Sequence, residues 1–121
     1  MTLQSARDLV AIAQAHLSDA VLVTVDADQA NAAVGQGSPV VLIQPPTIAH
    51  ETYNDTTATW TVIVIAGEAS LLDAWAQLDD IGEALRLPLD VDRAEPANFQ
   101  PPQGRAWPAL SLTSTTHHHH D

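Results

Sequence analysis

Thr59-Trp-Thr-Val-Ile-Val-Ile-Ala66 runs through Gly67-Glu-Ala-Ser70 into Leu71-Leu-Asp-Ala-Trp75-Ala-Gln-Leu-Asp79. In the first part Trp60, Val62 and Val64 alternate with Thr61, Ile63 and Ile65, the period-two pattern of a strand. Both sets become apolar toward the C-terminal half, so this strand is expected at the centre of a sheet. After the glycine the period changes. Leu71, Trp75, Leu78, Gly82 and Leu85 recur at helical spacing, with Ile81 beside them and Asp73, Gln77, Asp80 and Glu83 pointing outward. Ser70 is the expected cap, and Asp73 follows in the first turn. Gly82 on the buried stripe costs about 1 kcal/mol against alanine, so the helix is expected to approach the sheet closely there. Trp75 is expected to pack on the sheet near Val62 or Val64. Pro88 ends the helix.

Upstream, Leu3, Ala6, Val10, Ala13 and Leu17, widened by Leu9 and Ile12, predict an amphipathic helix over Thr2 to about Leu17. Ala20 to Val25 reads as a short strand. Asp26 to Val34 is alanine-rich and weakly helical, and Gly35-Gln-Gly37-Ser-Pro39 breaks it. Val40 to Gln44 reads as a strand buried on both faces, stopped or bent by Pro45-Pro46. Thr47 to Tyr53 resumes as an extended edge, and Asn54-Asp55 is turn chemistry. Downstream, Leu89–Glu95 and Trp107–Thr113 read as two further strands around a proline-rich loop, Pro96–Ala106. Ser114 to Asp121 is polar. The expected fold is α+β: a two-layer sandwich, mostly antiparallel sheet, with two helices on one face. Thr59, Thr61 and Ile63 would lie on the other face, whose apolar area favours oligomerisation.

Composition narrows the function. The chain has 121 residues, enough for one domain with its own core. Cysteine is absent, which excludes a disulfide framework and thiol chemistry. Fifteen acidic residues face four arginines and no lysine, a formal net charge of −11. Phosphate neutralisation and anionic-membrane binding both need clustered cations, so neither a sequence-reading nucleic-acid binder nor a membrane-surface protein is expected. No apolar run approaches the ~20 residues of a membrane span, and no leader is expected at the N-terminus.

Candidate chemistry is thin. Asp26-Ala-Asp28 with Asn31 starts like a calcium loop, but Asn31 stands where glycine is needed and Gly37 where the bidentate glutamate is needed. A helix-capping acidic turn is the better reading. Gly35-Gln-Gly37 lacks the remaining glycines and the lysine of a phosphate loop. His50-Glu51 near Asp55 could be a base with an orienting carboxylate, yet no nucleophile with a matching neighbourhood exists. Asp79 and Asp80 diverge by about 100° on a helix and cannot serve one bond. His117–His120 could chelate a transition ion weakly, without the spaced and oriented ligands of a built site. His16 at a helix end suits the helix dipole. No catalytic residue, metal or cofactor is expected.

Three stretches carry a resemblance: Val40-Val-Leu-Ile-Gln-Pro-Pro46; Trp60 to Gly67 running into Leu71–Asp79; and Arg93-Ala-Glu-Pro96 followed by Trp107-Pro-Ala-Leu-Ser-Leu-Thr113. Together they resemble the tail terminator (tail completion) proteins of long-tailed phages, in the short form found in phages and prophages of actinobacteria. In that family a proline-alanine dipeptide opens the last strand. The resemblance covers residues 1–113; the polar, histidine-rich tail 114–121 lies outside it. It implies a homo-oligomeric ring, expected hexameric, that caps the tail tube, ends its polymerisation and docks the head–neck connector. It also implies a place in the virion at the tail–neck junction, with DNA passing through the lumen. Acidic residues such as Asp26 and Asp28 are candidates for a lumen wall that repels phosphates. Tyr53, Asn54, Asp55, Phe99, Arg105 and Trp107 are candidates for subunit or tail-tube contacts, because aromatic and arginine side chains concentrate interface energy. The alternative is a small ferredoxin-like ligand-binding or regulatory module.

Overall fold

The alternation in Thr59–Ala66 sets the layers of the structure. The computed structural model describes residues 2–50, 55–67, 71–99 and 106–119. Its elements are α1 (Thr2–His16), β1 (Leu22–Thr24), α2 (Ala27–Gly35), β2 (Val40–Ile43), β3 (Thr47–His50), β4 (Asp55–Ile65), α3 (Leu71–Arg86), β5 (Arg93–Phe99) and β6 (Trp107–His119). The sheet order is β1-β2-β4-β6-β5, with β3 also paired to β4. This is an α+β fold with a mostly antiparallel sheet, and helices pack on it. β4 is central, as its two apolar faces required. One pair, β1 with β2, is parallel, and α2 makes the crossover between them.

Each face of β4 belongs to a different cluster. Trp60, Val62 and Val64 join Val41, Ile43 and Leu112 beneath Ala13 of α1 and Ala74, Leu78, Ile81 and Leu85 of α3. On the opposite face Ile65 joins Val40, Leu42 and Ala109 beneath Ala30 and Val34 of α2. The two long helices therefore share one face, and the short α2 covers part of the other.

Pro45 and Pro46 do more than stop β2. β2 and β3 both pair with β4, but between Ile43↔Val62 and Thr47↔Thr59 the residues Gln44, Pro45 and Pro46 stand opposite only Trp60 and Thr61. The extra residue is a bulge, and it shifts the register so that pairing with β4 resumes beyond the prolines. The Gln44 amide still donates to the Thr61 carbonyl at 3.0 Å.

Two boundaries differ from the sequence reading. Leu89–Asp92 do not form a strand; they close α3. The Val91 amide donates back to the Arg86 carbonyl at 3.0 Å across Asp90, whose φ of 51° is left-handed. Asp92 then anchors the chain to β6: its amide donates to Thr113 O, and its Oδ2 accepts from the Thr115 amide, both at 2.8 Å. β5 consequently starts at Arg93 and includes Pro96–Phe99, which the sequence placed in a loop. The polar stretch from Ser114 is likewise not a free tail. β6 runs on to His119 in register with β4, from Ser114↔Trp60 to His119↔Asp55. Its even-numbered residues direct their backbone groups to β4, and the Thr115 amide donates to Asp92 Oδ2, so this stretch extends the ladder without a core side chain.

Candidate functional site

The predicted contact residues separate. Phe99 and Trp107 are directly opposed in the β5–β6 register, and both are half-buried against the Val34, Val40 and Ile65 cluster. Phe99 is therefore a strand residue half-buried on its own sheet rather than part of a loop. Asp55 opens β4 opposite His119. Tyr53, Asn54 and Arg105 lie outside the described residues, as does Glu51 of the candidate base pair. Asp26 takes the capping role: its Oδ1 accepts from the amides of Asp28 at 2.8 Å and Gln29 at 3.4 Å. Asp26 and Asp28 are both exposed. His16 Nδ1 lies 2.9 Å from the Ile12 carbonyl, a local contact within α1. Among the described residues no His, Asp and Glu group has the arrangement to hold a metal ion. No helix there is long and apolar enough to cross a membrane.

Trp75 corrects the core assignment. It is 58% exposed, whereas Ala74, Leu78, Ile81 and Leu85 turn inward. Two overlapping stripes shared Leu78 and Leu85, and the helix rotated to bury the one that begins with alanine. The small residue lets α3 lie close to the sheet. Gly82 shows how close: a Cβ there would stand 2.9 Å from Leu110 Cδ2 on β6.

That rotation builds a feature the sequence did not announce. α3 lies over β4 and β6, and its cover stops short of the edge strand β5. Ala97 and Phe99 of β5 pack on the far face, so Ala94, Pro96 and Asn98 turn toward the helix layer, and they are exposed. A trough of about 500 Å³ opens between α3 and β5, walled by Trp75 and Asp79 and floored by Leu78, Pro96, Pro108 and Leu110. A second, smaller recess of about 220 Å³ adjoins it along α3, sharing Asp79 and Leu110 and lined also by Gly82, Glu83, Asp92 and Arg93. The outer edge of β5 is itself blunted. The Ala66 amide donates to the Pro108 carbonyl, so even-numbered residues of β6 direct their backbone to β4 and odd-numbered ones to β5. Register then places the missing N–H of Pro96 on the open edge, where it costs no ladder bond and discourages strand addition.

A second apolar surface lies on the opposite face. α2 covers β1 and β2, leaving Ile63, Ala97, Phe99 and Trp107 half-buried across β4, β6 and β5. Comparison with known proteins gave no match to a family model and no match to a curated protein.

Proposed function

We propose that the chain is a structural virion protein that forms a ring, expected hexameric, capping the tail tube of a long-tailed phage. In this reading it ends tube polymerisation and forms the joint to the head–neck connector, and DNA passes through its lumen without sequence-specific binding. The observation that carries it is the half-buried apolar patch of Ile63, Ala97 and Phe99, which α2 does not cover. Such a surface is suited to burial against another subunit. The three sequence stretches that resemble the family support it: they supply β2 with its bulge, the β4–α3 unit, and the β5–β6 pair. The net charge of −11 suits a channel wall that DNA slides past, with exposed Asp26 and Asp28 as candidates.

The alternative, a small ligand-binding module, draws on the trough beside α3. Its ferredoxin-like form is not this topology, because β1 and β2 are adjacent and the β-α-β unit is unsplit. Negative-stain microscopy and size-exclusion mass of the purified protein test the ring reading, together with tails assembled without it. Rings, and tubes of uncontrolled length in their absence, are expected. A strictly monomeric protein whose removal leaves tails normal would end this reading.

A further inference from the structure

We propose that the trough between α3 and β5 docks a basic segment of a partner protein, one in which arginine or lysine alternates with apolar side chains. The proposal does not depend on the ring reading. Its first ground is shape: α3 stops over β6, so the floor of Leu78, Pro96 and Leu110 lies open between a helix wall and a strand wall. An apolar floor of this kind favours a segment with apolar side chains on one side.

Its second ground is charge. Trp75 and Asp79 sit one turn apart on α3, and both line the trough. An exposed indole beside a carboxylate offers a cation both a π face and a counter-ion. Among the described residues that line the trough, Asp79 is the only charged one. The smaller recess beside it adds Glu83 and Asp92 together with Arg86 and Arg93. Arg86 pairs with Glu83 at 3.4 Å and Arg93 with Glu95, which leaves Asp79 and Asp92 as the acidic groups there without an ion pair among the described residues. A second copy of the chain would bring another net charge of −11 to this acidic wall, whereas a basic segment is drawn to it. Backbone addition along β5 is not needed, since Pro96 blunts that edge.

The test uses the full chain and a short fluorescent peptide of alternating arginine and leucine, read by anisotropy. Peptides alternating glutamate with leucine, and arginine with serine, serve as controls. Saturable binding of the arginine–leucine peptide alone is expected. Trp75→Ala and Asp79→Asn should each weaken it about tenfold, the scale of a partly desolvated cation–π or charge contact. Asp73→Asn and Asp80→Asn remove the same charge from exposed positions of α3 outside the trough and should leave affinity unchanged. Equal weakening by all the aspartate variants would mean diffuse charge attraction and overturn the proposal. So would affinity indifferent to Trp75→Ala in a variant with an unchanged melting curve. If no peptide binds and Trp75→Ala instead lowers the mass of the unliganded protein, the occupant is a second copy. Binding seen only after Arg105→Ala would make the chain's own segment the occupant. Either result replaces the partner proposed here.

Discussion

A Cβ placed on Gly67 would stand 2.5 Å from the carbonyl oxygen of Gly37. The exit from β4 thus crosses the turn before β2 backbone against backbone, and Gly37 turns there with a φ of 86°. The Gly67 amide is held at the same point by Gln77 Oε1 of α3 at 2.9 Å. Backbone cannot move aside as a side-chain tip can, so Gly67→Ala should cost about 3 kcal/mol or more. Gly35 is the control: a Cβ there meets nothing within 4 Å. Gly35→Ala, at the end of α2, should be neutral or stabilise by up to about 1 kcal/mol. Urea unfolding of both variants measures the contrast.

Trp75 and Leu85 lie on the same helix and should respond oppositely. Trp75 is 58% exposed and Leu85 fully buried. Trp75→Ala should shift unfolding by less than about 1 kcal/mol, while Leu85→Ala should cost about 2–5 kcal/mol. A large loss at Trp75 in chemical denaturation would return that side chain to the core.

Phe99 should matter to the monomer. It packs on the cluster beneath α2 and faces Trp107 across the β5–β6 ladder. Phe99→Ala should cost about 1–3 kcal/mol, through lost apolar burial and a lost aromatic pair. If the melting temperature of the dilute protein is unchanged while ring formation fails, Phe99 acts only between subunits.

Asp26 and Asp28 separate capping from channel electrostatics. Asp26→Ala removes the acceptor for two amides at the start of α2 and should cost about 1 kcal/mol. Asp28 makes no such side-chain cap, so Asp28→Lys should be tolerated within about 1 kcal/mol, the scale of its helix-dipole term. Under the ring reading Asp28→Lys is the cleaner probe of the lumen: assembly is retained and DNA ejection slows. Unchanged ejection kinetics would remove Asp28 from the channel wall.

Asp90 sits at a φ of 51° where α3 closes. Aspartate tolerates the left-handed region better than most residues, but glycine carries no Cβ penalty there. Asp90→Gly should therefore be neutral or stabilise by up to about 1 kcal/mol in thermal unfolding.

The sheet was legible because its signal is local. The alternation of Trp60–Ile65 fixed a two-faced central strand, Val40–Ile43 read as buried on both sides, and Gly82 announced a close helix–sheet approach that Leu110 completes. Asp26 read as a cap from its position alone. What the sequence misplaced depended on distant partners. Ser114–His119 are too polar to predict as ordered strand, and their order comes from the ladder with β4. Pro96 argued for a loop, and it sits in β5 only because register turns its nitrogen to the open edge.

By itself, then, the sequence determined the α+β class, the centrality of β4, the absence of thiol chemistry and the acidity that disfavours phosphate binding. These follow from period, composition and charge, which need no knowledge of neighbours. The tertiary structure alone decided which of two overlapping stripes on α3 was buried. The shared residues Leu78 and Leu85 leave the helix free to rotate until packing against β4 and β6 selects Ala74 over Trp75, because only the small side chain permits the close approach. Trp75 and Asp79 are neighbours by their four-residue spacing on α3, but that choice is what puts the pair on the wall of an open trough, a position set by the reach of α3 across the sheet.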